Sequence, residues 1–162
     1  MPIQDTQEFI IELEKQGELK RVKAEVDPDL EIAEILRREM YSNGPAILFE
    51  NVKGHTMPVL GNAFGSMKRL EIGLEMTDFT EIGQRITDMT KMDMPSGLLN
   101  KIKKLPELSK MTASFPKSES SGLVTEITST DASFDDLPII KSWPNDAGRF
   151  ITLGLIATKH PE

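Results

Sequence analysis

The stretch Glu18–Phe49, ELKRVKAEVDPDLEIAEILRREMYSNGPAILF, decides how the first part of this chain folds. Its opening alternates in a strand-like way, with Val22, Ala24 and Val26 on one face. Asp27-Pro28 then predicts a helix start, because Pro at the first helical position sacrifices no intrahelical hydrogen bond. Leu30, Ile32, Ile35, Leu36 and Met40 recur at helical spacing and form the predicted buried side. Asn43-Gly44-Pro45 stops that helix, and Ala46–Phe49 is a short apolar run that reads as a buried strand. Strand and helix alternate here, which is the signature of an α/β lobe.

The flanks extend the pattern. Asp5 or Thr6 can cap a first helix whose apolar stripe is Phe9, Ile10 and Leu13, with Gly17 at its end. Asn51–His55 makes a turn and Met57–Leu60 a further strand. Residues 66–111 read as helical: Ser66 caps one segment, Asp78 with Glu81 forms a capping box for another, and Pro95-Ser96 opens a third. Six of the nine Met lie in this region (Met67, Met76, Met89, Met92, Met94, Met111), which suits adaptable helix packing or a methionine-lined groove for a partner. Lys117–Gly122, KSESSG, marks a boundary, so residues 1–116 form one lobe and 117–162 begin a second domain. Within the latter, Leu123–Thr130 and Phe150–Thr158 are predicted strands.

Composition narrows the function classes. The 162 residues carry 26 acidic and 19 basic side chains, a net charge of −7, which repels a phosphate backbone and disfavours nucleic-acid binding. The basic run Lys101-Ile102-Lys103-Lys104 alternates with leucines and reads as a solvated helix face. A mean hydropathy of −0.28 and the absence of a long apolar run exclude a membrane-spanning helix, and the expectation is a cytoplasmic protein. No Cys is present, which removes disulfides, thiolate catalysis and Cys-based zinc sites.

Chemistry-bearing residues are sparse. His55 and His160 lie far apart, and neither has a neighbouring carboxylate at ligand spacing, so no metal site is expected from this chain alone. His55, beside Gly54, is expected to face solvent. Gly61–Ser66 runs from a strand into a helix, a place where backbone N–H groups bind phosphate, with Lys68 and Arg69 able to help hold an anion. It lacks dinucleotide or P-loop spacing, and a tight turn with a helix cap is the simpler reading. Asp135-Asp136 and Asp27/Asp29 adjoin turns and read as structural. No nucleophile elbow is present.

The densest segment is Leu137–Gly154, LPIIKSWPNDAGRFITLG, where Pro138, Pro144, Asn145 and Gly148 surround the only Trp. Trp143, Asp146 and Arg149 stand on the approach to a predicted strand, an arrangement suited to a pocket wall. Along that strand Thr152 and Gly154 leave space and one hydroxyl, which suits a flat heterocycle, or else a Thr that simply packs in a barrel.

This segment, with Phe9–Arg38 and Gly44–Ser66 (GPAILFENVKGHTMPVLGNAFGS), resembles the UbiD family of decarboxylases that use prenylated flavin. The resemblance spans nearly the whole chain in three blocks. It implies an α+β protein in which an N-terminal α/β lobe is followed by the start of a split β-barrel, flavin-reductase-like cofactor domain. It implies that Thr152 matches the family position contacting prenylated FMN. It further implies a reversible decarboxylase acting on an aromatic or α,β-unsaturated carboxylic acid, with Mn2+ or Mg2+ and K+ at the cofactor phosphate. A flavin prenyltransferase would supply the cofactor, and the full-length form would be a homo-oligomer. The family's other flavin and metal ligands, and its catalytic Arg and Glu residues, are expected beyond Glu162. The chain alone is then expected to be inactive: an N-terminal piece of a decarboxylase, or alternatively a non-catalytic assembly module completed by a separate subunit.

Overall fold

The structure is a computed structural model that describes residues 3–76, 78, 80–90, 122, 126–152 and 154. The chain divides into two compact units, one of residues 1–78 with 132–162 and one of residues 79–131. The expected boundary at 116/117 lies outside the described residues, as does the segment opened by Pro95-Ser96.

In the first unit, helix α1 (Thr6–Lys15) begins where Asp5 accepts a hydrogen bond from the Glu8 backbone N–H at 2.9 Å. It ends in a Schellman turn. Gly17 takes a φ of 71°, and the N–H groups of Gly17 and Glu18 donate back to the carbonyls of Glu14 and Leu13. The turn feeds strand β1 (Leu19–Val22) directly. Helix α2 (Glu31–Tyr41) closes in the same way, with Asn43 at a φ of 53° and Gly44 N–H donating to the Glu39 carbonyl. Strand β2 (Ala46–Phe49) follows, then β3 (Val59–Gly61) and helix α3 (Met67–Leu74), capped by Ser66.

The three strands form one sheet in the order β1-β2-β3. β1 and β2 are parallel, Leu19 against Ala46 through Val22 against Phe49, with α2 as the crossover. β2 and β3 are antiparallel. All four residues of the central strand are buried, because helices cover both faces. On one face Val26, Ile32, Ile47, Phe49 and Val52 make a core with α2. On the other Phe9, Leu13 and Ala46 make a second core under α1 and α3, where Phe9 stacks on Phe64 at 5.3 Å. The α/β lobe is as expected.

Several boundaries differ from expectation. β1 stops at Val22, and Ala24 lies exposed in a bend, while Val26 makes an isolated bridge to Val52. Helix α2 starts at Glu31 rather than at Asp27-Pro28. Asp27 instead folds an Asx turn onto the Asp29 N–H at 2.9 Å, and Pro28 lends its carbonyl to the Lys141 N–H at 3.0 Å. Met40, assigned to the buried side, is 56% exposed.

Residues 126–130 form no strand, and Ile127 is exposed. Phe150–Thr152 likewise carry no strand, and Thr152 sits in an exposed turn. The rest of the two predicted strands is Gly154, exposed and outside any strand, together with residues outside the described set, so the described residues contain no split barrel. In the second unit, helix α4 (Thr80–Thr90) lies within the region predicted to be helical. Among the described residues, no helix is long and apolar enough to cross a membrane.

Candidate functional site

The segment expected to carry the site is held to the lobe by its backbone. Lys141 forms a parallel bridge with Asp29: its N–H donates to the Pro28 carbonyl and its carbonyl accepts from the Leu30 N–H at 3.1 Å. This bridge explains the non-helical Asp27–Leu30 turn, whose groups serve a residue more than a hundred positions away. Leu30 takes a φ of 70° to present its N–H there, a conformation disfavoured for a branched side chain and sustained here by the surrounding bonds. Ile140 adds to the α2-side core.

Beyond Lys141 the three residues grouped by sequence part company. Trp143, 65% exposed, turns toward α2, where with Leu30, Leu36, Met40, Tyr41 and Ile140 it lines an open cavity of about 600 Å³. Asp146 reverses the chain: its carboxylate accepts from the Trp143 N–H at 3.0 Å, and its own N–H donates to the Trp143 carbonyl at 3.1 Å. Arg149 reaches His55 instead, with Nη1 at 3.4 Å from Nε2. His55 is therefore half-buried, not fully solvent-facing as expected, and its Nδ1 is buried without a partner. Thr152 and Gly154 are exposed, and among the described residues a Cβ added at Gly154 would meet only Ile151, at 3.6 Å and beyond.

Two charged residues, Glu34 and Arg37, also line the cavity. Glu34 receives both Arg37, at 2.7 and 2.9 Å, and Arg38, at 2.8 Å. The Arg37 guanidinium, then that of Arg38, holds the Glu34 carboxyl down at about 2. Arg37 also lies 5.6 Å from the centre of the Tyr41 ring.

The Gly61–Ser66 turn is spent on structure. Ser66 Oγ accepts the Arg69 N–H at 3.2 Å, and Asn62 Nδ2 donates to the carbonyls of Gly44 and Pro45. Both cations proposed for an anion go to Glu18: Lys68 Nζ at 3.0 Å on one oxygen, Arg69 Nη1 at 3.0 Å on the other. They keep the Glu18 carboxyl below the usual carboxylate range, Lys68 foremost, against the opposing effect of burial. The burial of Arg69, at 1% exposure, was invisible in the sequence because its partner Glu18 stands 51 residues earlier in the chain. Asp27 is paired with Lys53 at 2.7 Å, which lowers its pKa. Asp136 accepts the Ser133 N–H at 2.8 Å in a capping box, so Asp27 and Asp136 serve structure as expected. Among the described residues, no group of three or more His, Cys, Asp or Glu could hold a metal.

Two family models match the chain: the 3-octaprenyl-4-hydroxybenzoate carboxy-lyase N-terminal domain over residues 10–86 and its Rift-related domain over residues 116–162. An uncharacterized protein of Aquifex aeolicus is 45% identical over 161 residues, 98% of this chain and 33% of the relative. One from Archaeoglobus fulgidus is 40% identical over 162 residues, 100% of this chain and again 33% of the relative. The chain thus spans about a third of the length of these relatives.

Among solved structures, the UbiD-class enzyme HmfF from Pelotomaculum thermopropionicum, in an evolved dimeric form with prFMN, is 34% identical. The match covers 43% of this chain and 16% of that one, at a TM-score of 0.40. The Sedimentibacter hydroxybenzoicus vanillic acid decarboxylase in its open form, with truncated ShVdcD, is 34% identical over 50% of this chain and 19% of that one, at a TM-score of 0.46.

Proposed function

The chain belongs to the UbiD family, and on that footing we propose that it is the N-terminal part of a reversible decarboxylase. The complete protein acts on an aromatic or α,β-unsaturated carboxylic acid with prenylated FMN and releases CO2. The observation that carries this reading is the pair of family models, one on the α/β lobe and one on the segment that contains Thr152.

The residues present fit a flavin at one point. Thr152 offers a hydroxyl on an exposed backbone, and Gly154, two residues on, adds no side chain to block a flat ring. Thr152 would hydrogen-bond the ring system. The Lys141–Asp29 bridge would fix the direction from which its segment approaches. No metal-ligand group accompanies Thr152 among the described residues. When bound, the cofactor supplies the electron sink for loss of CO2. The ligands for Mn2+ or Mg2+ with K+, the proton-donating Glu and the split barrel itself would come from the remaining two thirds of the protein. A flavin prenyltransferase would supply the cofactor, in the cytoplasm, to a homo-oligomer.

The test joins residue 162 to the remaining length of the Aquifex aeolicus relative and co-produces a flavin prenyltransferase. Retained flavin and CO2 release from a panel of aromatic and acrylic acids are the expected results. Thr152→Val should lower flavin retention roughly five- to tenfold, the worth of one hydrogen bond of about 1 kcal/mol or slightly more. A folded joined protein that neither holds flavin nor releases CO2 refutes the reading.

A further inference from the structure

We propose that the groove between α2 and the Lys141–Pro144 segment is a docking surface for apolar side chains from the polypeptide that, in the relatives, extends past the matched third. The inference rests on the family's length and on this surface, not on the decarboxylase reading.

The surface has the make-up of an interface core. Met40, Tyr41 and Trp143 are 56%, 76% and 65% exposed and share one cavity of about 600 Å³ with Leu30, Leu36 and Ile140. Trp, Tyr and Met are the side chains enriched where interfaces are driest, and so much apolar surface in one place is costly to leave in water. Both walls are already rigid. One is helix α2; the other is tied to the turn before α2 by the Lys141–Asp29 bridge. Tyr41 is further steadied by Arg37, which Glu34 in turn grips with two hydrogen bonds. A preformed surface of this kind loses little side-chain freedom on docking.

Two facts select the occupant. The relatives run to three times this chain's length, each matched over 33% of its own extent. One model matched is that of an N-terminal domain, so the unmatched length follows. The groove lies where the two matched regions meet, α2 within residues 10–86 and Trp143 within 116–162. Glu34 and Arg37 line the cavity as an ion pair, and most of the remaining lining is apolar, which suits apolar side chains.

Trp143 is the only Trp here, which makes the groove readable. The protein is prepared as the 162-residue chain and as that chain joined at residue 162 to the remaining length of the Aquifex aeolicus relative. Both are labelled with 5-fluorotryptophan, and Trp143→Phe identifies the Trp143 signal. Docking predicts a shifted fluorine resonance in the joined chain. It also predicts a fall of roughly threefold in the solvent accessibility of Trp143, the change expected if it goes from mostly exposed to the buried centre of an interface. Replacing Tyr41 by p-benzoylphenylalanine should give a photo-crosslink within one polypeptide to a residue past 162. An unchanged Trp143 signal, no crosslink, or a crosslink only between two copies overturns the proposal. Should the joined chain fail to fold, the full-length relative carrying the same probe at its aligned position gives the same two-way crosslink answer.

Discussion

Removing Glu18 should cost far more than removing Arg69, although the two form one ion pair. Arg69 is 1% exposed and its Nη1 lies 3.0 Å from Glu18 Oε2, while Nε and Nη2 are buried without a partner. Glu18→Ala therefore strands a guanidinium in the core with none of its paired donors left. A buried charge deprived of its partner costs about 3–5 kcal/mol. Arg69→Met is the opposite case. It places an apolar chain of similar length in an apolar site, and Glu18, whose side chain is 20% exposed, keeps Lys68 at 3.0 Å. That exchange should lie within about 1 kcal/mol of the parent in either direction. The double variant should resemble Arg69→Met alone, because once the cation is gone Glu18 guards nothing. The assay is urea unfolding followed by Trp143 fluorescence, since Trp143 lies in the same compact unit as α1, α2 and α3. With a slope of about 2 kcal/mol per molar urea, Glu18→Ala moves the midpoint down by roughly 1.5–2.5 M. A Glu18→Ala midpoint within about 0.5 M of the parent, or a larger loss for Arg69→Met than for Glu18→Ala, would refute the reasoning.

Gly61→Ala should destabilise by about 1–3 kcal/mol, because the new methyl runs into the branched end of Leu36; the same urea midpoint reads it. Leu36→Ala in the same chain should relieve part of that clash, leaving the double variant less destabilised than the sum of the two. Glu34, held at about 2 against an ordinary 4.5, should titrate at that low value in a carbon-detected NMR titration. Its folded form binds the proton less tightly than the unfolded chain does. The small stability it contributes is thus complete above about pH 4.5 and lost as pH falls toward about 2. Titration in the usual range would show that Arg37 and Arg38 do not hold it in solution.

What could be read in the sequence was local. Asp5, Gly17, Ser66 and Asn43-Gly44 each act through partners three to five residues away, and each does what its type suggested. Ala46–Phe49 was legible because a strand covered on both faces is apolar without interruption. The errors fall where a distant residue takes a local group. Asp27-Pro28 looked like a helix start, and would be one were Pro28 and Leu30 not committed to Lys141. Met40 has a core residue's spacing, and the groove leaves it uncovered. Arg69 looked like a surface cation beside a phosphate turn, and Glu18, arriving from the end of α1, draws it inside. The strand expected from Phe150 is not formed over Phe150–Thr152, and Thr152 sits in a turn.

The Lys141–Asp29 bridge also bears on how the two matched regions depend on each other. If the segment after the lobe were merely tethered, Ile140 would be free, and nothing would dictate the direction in which the chain leaves toward Thr152. Instead Ile140 completes the α2-side core and Lys141 exchanges hydrogen bonds with Pro28 and Leu30, so the start of the second region is folded as part of the first. Trp143 and Arg149 then diverge from this fixed point, one to the α2 groove and one to His55. Two contacts at separate places on the lobe define an orientation, where one would define only a tether. Whatever Thr152 meets, it meets from a direction set by residues in the first third of the sequence. That dependence ties the geometry of the second matched region to a lobe that has no metal cluster among its described residues.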